Sequence, residues 1–260
     1  MSETSLVTLY LRACDAASRR PLLGDPFAAD LVRRIDHDFR RFALGRGDAP
    51  LVAARARWLD GQVEEFFAAH PQGQVLHLGC GLDSRPLRVR PPAGSVWFDV
   101  DQPEVARLRR EVYDLPPQVV VIGASVTEQG WWERVEPGRP TLVVAEGLLM
   151  YLDREQVRGL LERVVARCAA GRVVFDGVAG WMVGLSRRVR ALQRAGFVFR
   201  WPVEDVGGLV AGVRPVRDES VIGLLAGSPV LSGPVRGAYR VLVRVPAMRG
   251  SLRLQRWDFG

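Results

Sequence analysis

The sequence predicts a doubly wound α/β fold with a mostly parallel sheet of seven strands, and three observations carry that expectation. The apolar run Gln74–Leu78 has strand length and breaks into Gly79-Cys80-Gly81, a turn where the backbone can pass close to a ligand. A second apolar run, 96–100, ends in Asp101, about 20 residues past the glycines, where an acid can accept the hydroxyl protons of a ribose. From there strand-length and helix-length segments alternate, which implies βαβ crossovers and ligands at the C-terminal ends of parallel strands.

Each element follows from its residues. The first 70 residues read as a cap of helices, and 71–260 as the core. Leu6, Leu9, Leu11 and Ala13 mark the first helix, which breaks at Arg20-Pro21. Asp25-Pro26 opens the second, with Asp as N-cap and Pro at the first helical position. The third spans about 50–70, with Val52, Leu59, Val63, Phe66 and Phe67 on one face. In the core, a helix over 105–113 leads to a third strand at 118–122, a fourth is Thr141–Ala145, and a helix over 153–169 leads to a fifth at 172–176. Beyond lies an expected lid at about 177–202, helical over 181–194. A helix over 204–211, a strand at 213–217 and a final strand at 238–245 follow, with a tail from Arg249 that adds a strand or hangs free.

Composition excludes several classes. About half the residues are apolar and a quarter charged, ordinary for a globular protein, and no apolar run reaches membrane-spanning length. Cys14, Cys80 and Cys168 are odd in number, widely spaced and without a C-x-x-C pair, which points to reduced thiols, no metal site and a cytoplasmic setting. The net charge of +7 is carried by arginine alone, since the chain has neither lysine nor asparagine. The arginines are scattered rather than aligned as a phosphate track, so no nucleic-acid partner is expected, whereas attraction of small acidic substrates is.

The glycine turn narrows the ligand. Dinucleotide folds use G-x-G-x-x-G to hold a pyrophosphate at a helix N-terminus. Here Ser84 stands at the third position with Asp83 before it. A carboxylate there repels a pyrophosphate but suits the ammonium and sulfonium of S-adenosylmethionine.

A second block, Pro140 through Leu152, ends an apolar strand in Glu146-Gly147 over the same crevice. Together these motifs resemble the leucine carboxyl methyltransferase family of S-adenosylmethionine-dependent enzymes. The chain carries Leu78-Gly79-Cys80-Gly81-Leu82-Asp83-Ser84-Arg85, then Asp99-Val100-Asp101-Gln102-Pro103, then Ala145-Glu146-Gly147 through Tyr151-Leu152. Upstream, Arg55-Ala56-Arg57-Trp58-Leu59-Asp60 is similar to the family's arginine-bearing helix, and Ser18-Arg19-Arg20-Pro21 with Asp25-Pro26 to its N-terminal motif.

The resemblance implies a Rossmann-like methyltransferase sheet and a set of cofactor contacts. Gly79, Cys80 and Gly81 would line the methionine half, with Asp83 beside them, and Asp101 with Gln102 the ribose. Arg55 or Arg57 would pair with the α-carboxylate and Glu146 would face the ammonium, with Arg19 and Gly147 as further cofactor contacts. Ser125 and Val126 would approach adenine, although the family usually has an acid where Ser125 stands. From the residues alone, Asp83 and Arg85 read equally as a buried pair locking the turn, Tyr151 as packing before catalysis, and His77 as a hydrogen-bonded core histidine.

A sulfonium methyl needs alignment more than activation, and an acceptor carboxylate is already ionised at neutral pH. No compelling base accompanies the motifs, so a small-molecule acid such as a polyketide is the expected acceptor. A peptide C-terminus, a phenol, or a non-methylating relative remain the alternatives. Trp181 and the lid arginines Arg187, Arg190 and Arg200 are the expected acceptor contacts.

Overall fold

A computed structural model describes residues 3–42, 47–194, 196–202 and 208–260. The strands are β1 (Gln74–Leu78), β2 (Val96–Asp101), β3 (Val119–Gly123), β4 (Thr141–Ala145), β5 (Gly171–Val178), β6 (Val213–Ser220) and β7 (Leu252–Phe259), in spatial order β3-β2-β1-β4-β5-β7-β6. Strands β1 to β5 run parallel, and β7 inserts antiparallel between β5 and β6. Every residue of β1 and β4 is buried, as expected of strands covered on both faces. The order reverses between β1 and β4, so a crevice opens above their C-terminal ends.

The helices are α1 (Glu3–Ala16), α2 (Pro26–Arg34), α3 (Ala49–Ala69), α4 (Arg85–Val89), α5 (Pro103–Val112), α6 (Arg154–Arg167), α7 (Gly180–Arg188), α8 (Arg190–Arg194), α9 (Val221–Gly227), α10 (Gly233–Leu242) and α11 (Pro246–Arg249). Asp25 caps α2 as its sequence predicts, accepting from the amides of Phe27 and Ala28. Asp153 and Gln156 form a reciprocal capping box that starts α6. One sheet face packs Leu59, Val63 and Phe66 of α3 against Val75, Trp97, Leu142, Val144 and Val174. The other packs Val157, Leu160, Leu161 and Val164 of α6 against Leu76, Leu78, Val143 and Phe175.

Three expectations fail in the C-terminal third. The strand expected over 238–245 is the second half of α10. Its valines carry strand propensity, but Val235, Ala238, Tyr239 and Leu242 recur at helical spacing and all four line a cavity. The seventh strand is instead the tail, whose alternation from Leu254 to Phe259 fits the antiparallel slot. The helix expected over 204–211 lies partly outside the described residues, and its described part, 208–211, is turn. The helix expected over 181–194 divides at Val189 into α7 and α8. Among the described residues no helix is long and apolar enough to cross a membrane, and no cluster of residues could hold a metal ion.

Candidate active site

A cavity of about 680 Å³ opens above the C-terminal ends of β1 and β4. Its floor is the glycine turn. Gly79 (φ 61°) and Gly81 (φ 51°) both lie in the left-handed region, which a side chain strains. A Cβ on Gly79 would come within 2.9 Å of Leu148, and one on Gly81 within 3.3 Å of the Ser5 hydroxyl. Gly79 is therefore required first by backbone conformation and by Leu148, not by ligand space alone.

Beside the turn lies a buried ion network. Arg55 donates from Nε to Glu146 and from Nη1 to Asp176, each at 2.9 Å. Arg85, wholly buried, reaches Asp60 at 2.7 Å, Asp83 at 3.2 Å, and Glu146. Arg88 joins Asp25, Asp60 and Asp83, and Arg12 of α1 lies 2.9 Å from Asp83. Burial alone would raise the Glu146 carboxyl, but Arg55 and Arg85 outweigh it and hold it down at about 2. Asp83 is likewise held well below the carboxylate range: burial opposes, and Arg12, Arg85 and Arg88 prevail. Arg85 is shared with Asp60 and Glu146, and Arg88 with Asp25 and Asp60, so Asp83 is one member of a connected network rather than a separate charge. Asp83 lines the cavity and is at the same time paired with Arg85 beside the turn.

The strand ends supply the remaining polar groups. Asp101 accepts from the Gly81 and Gln102 amides, each at 2.7 Å, and burial raises its carboxyl above the usual aspartate value. Asp176, fully buried within β5 two residues before its end, accepts from the Gly147 amide and from Arg55, and burial raises it too. His77 has both ring nitrogens engaged, Nδ1 with Asp99 at 2.8 Å and Nε2 with Arg85 at 3.2 Å. It has no lone pair left for a reacting proton.

The far wall is apolar. Met150, Val178, Trp181, Met182, Phe197 and Phe199 line one side, and Ile222, Val235, Leu242, Met248 and Leu252 the other. Tyr151 and Tyr239 lie among them, and burial raises both hydroxyls, keeping them protonated at neutral pH.

Sequence reasoning located part of this site. Arg55, Gly79, Cys80, Gly81, Asp83, Glu146, Gly147, Tyr151 and Trp181 all line the cavity. Arg57 does not: it projects from the exposed side of α3 toward Glu64 at 3.8 Å, because two residues along a helix turn a side chain by about 200°. Arg19 is exposed in the loop after α1 and does not line the cavity either. The basic residue that reaches it from the N-terminal segment is Arg12, whose buried Nε lacks a hydrogen-bond partner. Asp101, Gln102 and Ser125 sit at the ends of β2 and β3 outside the cavity, and Val126 is packed into the core. The Ser125 hydroxyl pairs with Thr127 at 2.9 Å.

The lid arginines stand outside as well. Arg187 donates to the Phe199 and Arg200 carbonyls and so ties α7 to the segment before Pro202, while Arg190 and Arg200 are exposed. The signal for Arg12 was legible in principle: it is a lone charge three residues from Leu9 on the apolar face of α1. Asp176 had one too, being an acid near a strand end, as Asp101 is.

The residues fit S-adenosylmethionine. An unpartnered buried guanidinium nitrogen suits a carboxylate, the positive-φ turn brings backbone to the cavity floor, and a strand-end acid stands beside it. Fold and site together define an S-adenosylmethionine-dependent methyltransferase. The description of the leucine carboxyl methyltransferase family matches residues 5–165, and the chain belongs to that family. It is 39% identical over 260 residues to the tetracenomycin polyketide synthesis O-methyltransferase TcmP of Streptomyces glaucescens, covering 99% of this chain and 96% of the relative. It is 35% identical over 224 residues to the S-adenosyl-L-methionine-dependent methyltransferase dpfgK of Gibberella zeae, covering 78% and 75%. Among solved structures, magnesium protoporphyrin IX methyltransferase of Synechocystis PCC 6803 shares the fold at TM-score 0.52 and 11% identity, over 100% of this chain and 98% of that one.

Proposed function

We propose that the protein methylates the carboxylate of a small, largely apolar, polyketide-type acid. The observation that carries this reading is the absence of a free base among the described lining residues. Asp83 and Glu146 are locked to arginines, both nitrogens of His77 are occupied, and both tyrosines are held protonated. A phenol, with a pKa near 10, would need its proton removed, whereas a carboxylate arrives ionised. The relationship to TcmP, named for polyketide synthesis, supports a polyketide acceptor.

In this reading Arg12 and Arg55 hold the cofactor's α-carboxylate, Glu146 faces its ammonium, and Asp101 accepts the ribose hydroxyls. A cofactor bound there would supply an electrophilic sulfonium methyl for transfer to the ionised acceptor oxygen. The chain's own residues bind and align, and Met150, Phe199 and Leu242 give the acceptor an apolar wall.

The test is the product formed from candidate polyketide acids. A methyl ester, cleaved by mild alkali and located by mass spectrometry, is the expected result. An alkali-stable methyl ether would replace the carboxylate by a phenol. Calorimetry with S-adenosylhomocysteine against NAD checks the cofactor independently, and tighter binding of NAD would refute it.

A further inference from the structure

The protein's entire net charge resides in the two connections that wall the cavity. The segment between β5 and β6 (179–212) holds Arg187, Arg188, Arg190, Arg194 and Arg200 against Glu204 and Asp205, a net of +3. The segment between β6 and β7 (221–251) holds Arg236, Arg240, Arg244 and Arg249 and no acid, a net of +4. Together they account for +7 out of +7, so the remaining three-quarters of the chain is balanced.

These charges are not consumed by the fold. Among the described residues no carboxylate pairs with any arginine of either connection, although ion pairs are abundant elsewhere on the surface. Arg187, Arg236 and Arg240 brace carbonyl groups, which leaves their charge uncompensated. Arg188, Arg190, Arg200, Arg244 and Arg249 are exposed. The same short helices place Trp181 and Val235 at once on the surface and on the cavity lining, which locates the mouth between α7 and α10. Inside that mouth the acceptor half presents no cation: among the described lining residues the guanidiniums are Arg12 and Arg55, both at the glycine-turn end.

Resting on the carboxylate reading above, we propose that the uncompensated arginines of these two connections are the enzyme's charge-selecting element. They draw in the anionic acid and do not retain its neutral methyl ester. Methylation takes the acceptor from one negative charge to none, so the field that accelerates entry of substrate does not act on product. Selectivity for the acid is then exercised at long range at the rim, while the apolar interior holds acid and ester alike. A rim field of this kind raises association rates on the order of tenfold or more and vanishes as salt shortens its reach.

The experiment is stopped-flow association of anthracene-9-carboxylate and of its methyl ester with the S-adenosylhomocysteine complex. Salt is varied from about 0.01 M to 1 M, over which the screening length contracts from about 30 Å to about 3 Å. The expected result is an on-rate for the acid that falls about tenfold across that range while the ester's stays level. The variant carrying Arg188→Gln, Arg190→Gln, Arg244→Gln and Arg249→Gln, which takes the two connections from +7 to +3, should weaken the salt dependence for the acid without altering the ester. All four positions are exposed, and circular dichroism with thermal melting verifies the fold. In turnover the variant's loss should appear in KM rather than kcat. Equal salt responses of acid and ester, an unchanged variant, or no association of the acid would overturn the proposal. Failure of the carboxylate reading would show separately, as an alkali-stable product with this binding contrast intact.

Discussion

Where the cavity meets the ends of β1, β4 and β5, its wall is charge held by charge: Arg55 between Glu146 and Asp176, Arg85 among Asp60, Asp83 and Glu146. Where it meets α7 and α10, the wall is Trp181, Met182, Val235 and Leu242, with no ion pair. The first half hangs from strand termini and is fixed by bonds that reach across four elements. The second is carried on connections, whose residues can change without touching the sheet. One half is built to hold a constant ligand, the other to be refitted to a variable one.

The sharpest way to break that comparison is to remove a charge from the first half. Arg85→Leu strands Asp60 and Glu146 in a buried setting, so unfolding by urea should show a loss of about 3–5 kcal/mol. A loss under about 1 kcal/mol would mean the network is not what holds the turn. Acid should attack the same place. The Glu146 carboxyl, raised by burial but pulled down to about 2 by Arg55 and Arg85, lies below an ordinary glutamate. Its stabilisation is therefore complete above about pH 4.3 and is lost as pH falls toward 2. The size is on the order of 3 kcal/mol, partly offset by Asp176, whose carboxyl burial raises. Denaturant melts across that window in wild type and Glu146→Gln should differ in slope; parallel curves would remove Glu146 from the account.

Smaller effects separate the halves. Asp101→Ala should weaken S-adenosylhomocysteine binding by about 1.5–3 kcal/mol in calorimetry. Because Asp101 also accepts the Gly81 amide on one oxygen and the Gln102 amide on the other, Asp101→Asn, whose single carbonyl oxygen can keep the Gly81 bond, separates loss of the turn from loss of the ribose contact. Burial raises the Asp101 carboxyl, so cofactor affinity should begin to fall with acid at a higher pH than an ordinary aspartate would give. In the other half, Met182→Ala should cost about 1–2 kcal/mol in kcat/KM for the acceptor and leave cofactor affinity where it was. If both affinities fall together, the two halves are not separable.

The same division explains what the sequence disclosed. The glycine turn, Asp101 and Glu146 were legible because each lies within a few residues of a strand end, where local pattern sets position. Five parallel strands followed from the same logic. The acceptor wall was not legible. Residues 238–245 alternate valines with arginines and imitate a strand, and only packing of Tyr239 and Leu242 against α9 and the cavity decides for a helix. Arg12, a lone charge on the apolar face of α1, was missed although its place on that face was legible, because its partner was not. That partner, Asp83, is 71 residues away, beyond the reach of any local pattern.

The smallest expected effect tests the orientation of α3. Arg55 and Arg57 are two residues apart in one motif, and sequence gave no ground for choosing between them. Arg55 is enclosed by two carboxylates and lines the cavity, whereas Arg57 is exposed and 3.8 Å from Glu64. A surface pair at that distance is worth little, because solvent screens it and two long side chains lose freedom in forming it. Arg57→Ala should therefore change stability by less than about 0.5 kcal/mol and leave S-adenosylhomocysteine affinity within error. Arg55→Ala should lower affinity, since it removes a guanidinium from the cavity and leaves Glu146 and Asp176 facing each other. Calorimetry on the two variants decides it. A cofactor defect in Arg57→Ala equal to that of Arg55→Ala would mean that α3 presents its other face to the ligand in the working enzyme.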